Sequence, residues 1–186
     1  MDLKNKKILI IGIQGSGKTV LAKKIAKTNF KKPIAYKVSE DFDKEGNWVY
    51  LYEPNDIYTD LNAFCEKVIQ WGKEKKIDCV IFDEADLFLP RYLQFNKLKD
   101  LILKHRHYNL ALIFITRRMQ DIPALIAEQM HYIYAFSLEG DNAIKKLNEI
   151  RSGFGDKVKI LPYGSYKYYK KEIGKEPQLH EKVKNG

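Results

Sequence analysis

The chain has 186 residues, with 33 Lys+Arg against 24 Asp+Glu for a formal charge of +9, and 45% of it is hydrophobic and 12% aromatic. That length and apolar content suit a globular domain with a sizeable core and exclude a disordered basic tail or a low-complexity binder. The apolar runs Ile8 to Ile11 and Leu110 to Ile115 fall far short of the roughly 20 residues that span a bilayer.

Ile8 to Ile11 is an all-apolar run ending in glycine, as expected of a strand buried on both faces of a parallel sheet. Val20, Leu21, Ala22, Ile25 and Ala26 then recur at helical spacing, with Lys23, Lys24 and Lys27 on the other side. Pro33 to Val38 reads as the next strand and Trp48 to Tyr52 as a further extended segment. Ile57, Leu61, Phe64, Cys65, Val68 and Ile69 predict an amphipathic helix ending near Gly72. Cys79 to Phe82 is a second buried strand. A helix after Pro90 places Leu98, Leu101, Ile102 and His105 on one face, and Leu110 to Ile115 forms the third strong strand. Ile122 to Met130 reads as a short helix with Pro123 in its first turn, His131 to Phe136 as a strand and Asp141 to Arg151 as a helix. Val158 to Leu161 and Tyr166 to Tyr169, joined by Pro162-Tyr163-Gly164-Ser165, predict a closing hairpin. This alternation implies an α/β fold with a mainly parallel central sheet flanked by helices and a C-terminal hairpin. One domain is expected over residues 1–172, with 173–186 a loose basic tail.

Gly12-Ile13-Gln14-Gly15-Ser16-Gly17-Lys18-Thr19 matches the phosphate-loop pattern GxxxxGKT and lies between a buried strand and a helix, the context the motif requires. The glycines let consecutive N–H groups turn toward phosphate oxygens, and the helix adds the positive end of its dipole. Gly12, Gln14, Gly15, Ser16, Gly17, Lys18, Thr19 and Val20 are the candidate nucleotide contacts. Lys18 would reach the β and γ phosphates, and Thr19 would ligate Mg²⁺. Asp83 and Glu84, directly after the strand Cys79 to Phe82, supply the acidic half. Asp83 would hold Mg²⁺ through water, and Glu84 would orient or deprotonate a water attacking the γ phosphate. Asp86 reads as a cap or surface residue. Thr116 ends the strand Leu110 to Ile115 at the carboxyl edge of the sheet, where ligands bind in open α/β folds. It is either a nucleotide sensor or an ordinary strand end.

The charge is uneven. Residues 1–37 carry ten Lys and one Asp, residues 157–186 eight Lys and three Glu, and between Arg91 and Arg118 seven Lys/Arg face only Asp100. Basic clusters of this kind suit nucleic acid as well as a solvated lysine surface. Tyr163, Tyr166, Tyr168 and Tyr169, interleaved with Lys167, Lys170 and Lys171, read either as a stacking surface for single strands or, preferably, as a hairpin with one face on the core. Cys65 and Cys79 are too few for a disulfide framework or a four-cysteine zinc site and read as core packing. The short apolar run after the N-terminus does not make a signal peptide, so a cytoplasmic location without membrane insertion is expected.

The motifs Gly12 to Thr19, Val80 to Asp86 and Arg106 to Pro123 together resemble the HerA/FtsK superfamily of DNA-pumping ATPases. Within it they are most similar to viral genome-packaging ATPases and Zot-like phage proteins. The resemblance covers roughly residues 5–170, and it rests on the third block, since the first two motifs are shared by many ATPases. It implies ATP as cofactor with Mg²⁺, double-stranded DNA as partner, a hexameric or pentameric ring, and a capsid or membrane-protein partner. It also implies that Arg106 acts as a finger on a neighbour's ATP. The family strand ends in Thr-Gln-Arg, whereas this one reads Thr116-Arg117-Arg118. The sensor is then Thr116 or Arg117, and Arg117 and Arg118 are also candidates for DNA contact. The other readings are a nucleotide-dependent assembly protein of Zot type and a nucleoside-type kinase. The kinase needs an arginine-rich lid, for which residues 120–156 offer only Arg151.

Overall fold

The computed structural model describes residues 2–36, 50–52 and 57–181. Eight strands form one sheet: β1 Lys7–Ile11, β2 Pro33–Tyr36, β3 Tyr50–Tyr52, β4 Cys79–Phe82, β5 Ala111–Thr116, β6 Tyr132–Ala135, β7 Tyr168–Glu172 and β8 Gln178–His180. Their spatial order is β3-β2-β4-β5-β1-β6-β7-β8. The first six pair in parallel and the last two antiparallel. Six helices accompany them: α1 Lys18–Asn29, α2 Ile57–Lys73, α3 Asn96–Lys104, α4 Ala124–Glu128, α5 Asp141–Ile150 and α6 Phe154–Lys159. This is the α/β architecture of P-loop NTPases that the alternation of strand and helix patterns implied.

The central strands are buried throughout and mainly apolar because both faces of the sheet are covered. Side chains of period two sort them. Leu9, Ile11, Val80, Phe82, Leu112 and Phe114 point into a core built with α2, α3, α5 and α6. Ile8, Ile10, Cys79, Ile81, Ile113 and Ile115 point into a second core closed by Leu21, Ala22, Ile25 and Ala26 of α1. In the first core Phe82 stacks on Phe114 with ring centres 5.2 Å apart, and Tyr36 and Phe64 extend the aromatic cluster. Cys65 and Cys79 are buried free thiols, as read from the sequence.

The closing hairpin lies elsewhere than the sequence reading put it. Phe154, Val158 and Leu161 recur at helical spacing and are buried, while Ile160 is exposed, so residues 154–159 form α6 rather than a strand. Gly155 permits this. A Cβ there would lie 2.3 Å from the Ile144 carbonyl oxygen, so the close approach of α6 to α5 needs a glycine. The hairpin is β7 with β8, and β8 falls in the stretch expected to be a loose tail. The extended segments 37–38 and 48–49 lie outside the described residues. No helix among the described residues is long and apolar enough to cross a membrane.

Candidate nucleotide-binding site

The parallel register gathers the site at one edge. Ile11, the last residue of β1, lies level with Thr116 on β5 and Ala135 on β6, and Phe82 of β4 lies level with Phe114. The chain segments that follow β1, β4 and β5 therefore emerge side by side, although their residues are far apart in sequence. They enclose a cleft of about 530 Å³ lined by Gln14, Gly17, Lys18, Thr19, Asp83 and Arg117, among others.

The loop after β1 folds as the motif requires. Gly17 stands at φ 99° and caps the N-terminus of the 12-residue α1. Left-handed backbone there is open to glycine at no steric cost. No side chain caps that terminus, and its first turn contains no acidic residue, so its N–H groups face the cleft with the positive end of the helix dipole. Lys18 is buried and its Nζ donates to the Ile13 carbonyl oxygen at 2.8 Å. Burial lowers its pKa, and the Glu84 carboxylate pulls it back. The Ser16 hydroxyl is buried in the loop with no hydrogen-bond partner among the described residues, an atom placed to meet an incoming ligand.

Across the cleft, Asp83 is 2% exposed at the end of β4. Glu84 follows with φ 46° and ψ 47°, in left-handed backbone that is strained for a side chain of its size. Its carboxylate makes an ion pair with Arg117 Nε at 3.0 Å. Burial raises its pKa, Arg117 opposes that shift, and the nearby Asp83 and Asp86 carboxylates add to it. A carboxyl group of this kind is poised to take a proton.

Thr19 and Asp83 face the same cleft, and no group of three His, Cys, Asp or Glu among the described residues gathers as a metal cage. That donor set fits Mg²⁺ carried by a nucleotide, to which phosphates and water supply the remaining oxygens.

The structure separates the remaining candidates. Thr116 is fully buried. Its hydroxyl donates to Asp86 Oδ1 at 2.9 Å and accepts from the Arg118 amide at 3.1 Å, so it is engaged within the protein. Of Thr116, Arg117 and Arg118, it is Arg117 that lines the cleft. Arg118 is exposed and pairs with Asp121 at 2.8 Å. Arg106 lies exposed in the 3₁₀ turn His105–Tyr108, which precedes β5 and stands at the opposite edge of the sheet from the cleft. Asp86, read as a cap or surface residue, instead fastens Thr116 and also accepts from the Arg117 amide at 3.4 Å. Only its position two residues after Glu84 hinted at this, because its partner lies 30 residues away. Tyr166 also lines the cleft. Tyr168 belongs to the core, packed on Phe136 with ring centres 5.1 Å apart.

A model of the ATPase family associated with various cellular activities (AAA) matches residues 8–138, which include the loop and the acidic pair. The chain belongs to the AAA ATPase family. Among solved structures, this AAA chain is similar to the genome packaging NTPase B204 from Sulfolobus turreted icosahedral virus 2 in complex with ATP-gammaS. The TM-score is 0.77 at 21% identity, covering 98% of this chain and 100% of that one. The N-terminal domain of zonular occludens toxin from Neisseria meningitidis matches at TM-score 0.58 and 13% identity, over 96% of this chain and 95% of that one. The cytoplasmic domain of the type VII secretion ATPase EccC from Thermomonospora curvata matches at TM-score 0.68 and 13% identity, over 95% of this chain and 25% of that one. These are likenesses of fold, and they include the packaging and Zot-like groups that the sequence motifs resemble. No curated protein sequence matches the chain.

Proposed function

We propose that this AAA ATPase is an ATP-driven motor that moves double-stranded DNA, working as a homo-oligomeric ring in viral or phage genome packaging. The observation that carries the reading is the match with a genome packaging NTPase over 98% of this chain and 100% of that one. The basic ends of the chain and the placement of Arg106 support it.

In this reading the loop amides and Lys18 bind the phosphates, displacing Lys18 Nζ from the Ile13 carbonyl. Thr19, and Asp83 through water, would hold Mg²⁺, which would offset charge on the phosphate oxygens. Glu84 receives the proton of the attacking water. Its pairing with Arg117 keeps it engaged until a γ phosphate draws the guanidinium away, so Arg117 links nucleotide arrival to release of the base. Arg106 is too far around the sheet to serve its own cleft and is directed to that of a neighbouring copy. Such fingers contribute about 10³- to 10⁵-fold in turnover.

The test is ATPase rate per protomer against protein concentration, with and without duplex DNA at low and high salt. The rate should rise with concentration and with DNA, and the DNA effect should fade with salt. Mixing Lys18→Ala with Arg106→Ala should regain activity that neither has alone, because some interfaces then pair an intact loop with an intact finger. A rate independent of concentration and of DNA would overturn the motor. Cellular function preserved in Glu84→Gln but lost in Lys18→Ala would replace it with nucleotide-dependent assembly.

A further inference from the structure

The strand order gives the cleft two unlike flanks. On the β4–β5 side stand Asp83, Glu84 and Arg117, the groups suited to a hydrolysable phosphate. On the other side, past β6, stands Tyr166, two residues before β7, while Phe136, directly after β6, is fully buried against the glycines of the loop. A Cβ at Gly17 would lie 3.5 Å from the Tyr166 ring and 3.6 Å from that of Phe136, so Tyr166 packs at the mouth of the phosphate loop with Phe136 buried beside it. α1 also lines the cleft, through Val20, which is exposed, and Lys23. The volume of about 530 Å³ falls in the range of sites that enclose a whole small ligand rather than a phosphate chain alone.

Tyr166 is also held there at a cost. Its φ is 57°, a left-handed backbone that a bulky residue adopts only when its surroundings impose it. A built turn does so: the Ser165 amide donates to the Pro162 carbonyl, and the Lys167 amide donates to Ser165 Oγ at 3.3 Å. Tyr166 nevertheless remains 41% exposed, so part of it is open to the cleft it lines.

We propose that Tyr166 is the nucleobase platform of the cleft. A nucleoside triphosphate whose terminal phosphate faces Glu84 and Arg117 runs back across the loop, and its base stacks on the Tyr166 ring with Val20 at its other side. Stacking reads the π-face that every base presents, not its hydrogen-bonding edge. The site therefore accepts ATP and GTP with comparable affinity and favours purines through their larger face. The proposal rests on the nucleotide reading of the cleft and adds to it the residue that recognises the nucleoside half.

The test is calorimetric titration of ATP, GTP and inorganic tripolyphosphate into the native chain, Tyr166→Gly, Tyr166→Phe and Lys18→Ala, each checked for folding by thermal melt. Tyr166→Gly suits the left-handed backbone and should fold at least as stably as the native chain. It should weaken ATP and GTP about tenfold or more, while tripolyphosphate stays within about twofold. Tyr166→Phe keeps the ring and should restore both nucleotides. ATP affinity unchanged in Tyr166→Gly, or tripolyphosphate weakened as much as ATP, overturns the platform. ATP that fails to bind the native chain, or binds Lys18→Ala equally well, overturns the nucleotide reading itself.

Discussion

At the edge where the parallel strands end, Lys18, Arg117, Asp83 and Glu84 face one another around an open cleft. At the edge where they begin, Lys7, His105 and His131 pack together beside Arg106. Lys7 Nζ donates to the Gln129 side-chain oxygen at 2.6 Å and to the Ile102 carbonyl at 3.4 Å, and its amide donates to His131 Nδ1 at 3.0 Å. Both edges bury a lysine, yet the surroundings act differently. Carboxylates offset the burial of Lys18, whereas Arg106 adds to that of Lys7, whose pKa falls to about 8. The His105 pKa falls to about 4 for the same chief reason, burial, although its bond to the Leu110 carbonyl opposes it. The contrast separates charge arranged for an incoming anion from polar groups that tie β1 to α3 and to the turn before β6.

The largest effect that can sharpen this contrast is at the cleft. Glu84→Gln keeps the shape and removes the proposed proton acceptor, so kcat should fall about 10²- to 10⁴-fold with KM little changed and the melting temperature not reduced. Steady-state ATPase kinetics would check it, and a kcat within a few-fold of native would remove Glu84 from the chemistry. A smaller effect is expected at the brace behind it. Asp86→Ala leaves the buried Thr116 hydroxyl without its acceptor and should cost about 1–3 kcal/mol in denaturant unfolding. A neutral outcome would mean that Asp86 does not fasten the strand end.

The smallest effect is at the opposite edge. Because the native chain holds Lys7 at a lower pKa than the unfolded chain does, the unfolded state binds more protons between pH 8 and 10.5, and stability should rise through that window. With a discount for solvent screening the gain is about 1 kcal/mol, and it should vanish in Lys7→Met. On the acid side the same sign applies to His105: stability should fall as pH drops from about 6.5 to about 4. Unfolding curves across pH would test both, and an identical alkaline rise in Lys7→Met would break the contrast.

The elements with one dominant period were legible in the sequence. Strands buried on both faces announce themselves as apolar runs, and the phosphate loop is written in consecutive residues because it is a backbone device. What escaped depends on partners distant in sequence or on a period masked by one residue. Asp86 fastens Thr116 and the Arg117 amide, and Tyr166 reaches the cleft beside Gly17, which lies far from it in the chain. Exposed Ile160 made 158–161 look like a strand, although Phe154, Val158 and Leu161 carry the helical spacing. Thr116 was correctly placed at the carboxyl edge, but its engagement by Asp86 depends on side-chain direction, which strand position alone does not specify.

The position of β1 in the sheet bears on how the protein is made. β1 comes first of the eight strands in chain order, yet its two neighbours in the sheet are β5 and β6, which end at Thr116 and Ala135. The loop that follows β1 therefore waits, during synthesis, for more than a hundred further residues before its strand can be seated. Pairings this distant in sequence are slow to close and leave apolar edges uncovered meanwhile. The most recognisable eight residues of the chain thus depend for their seating on strands far along it.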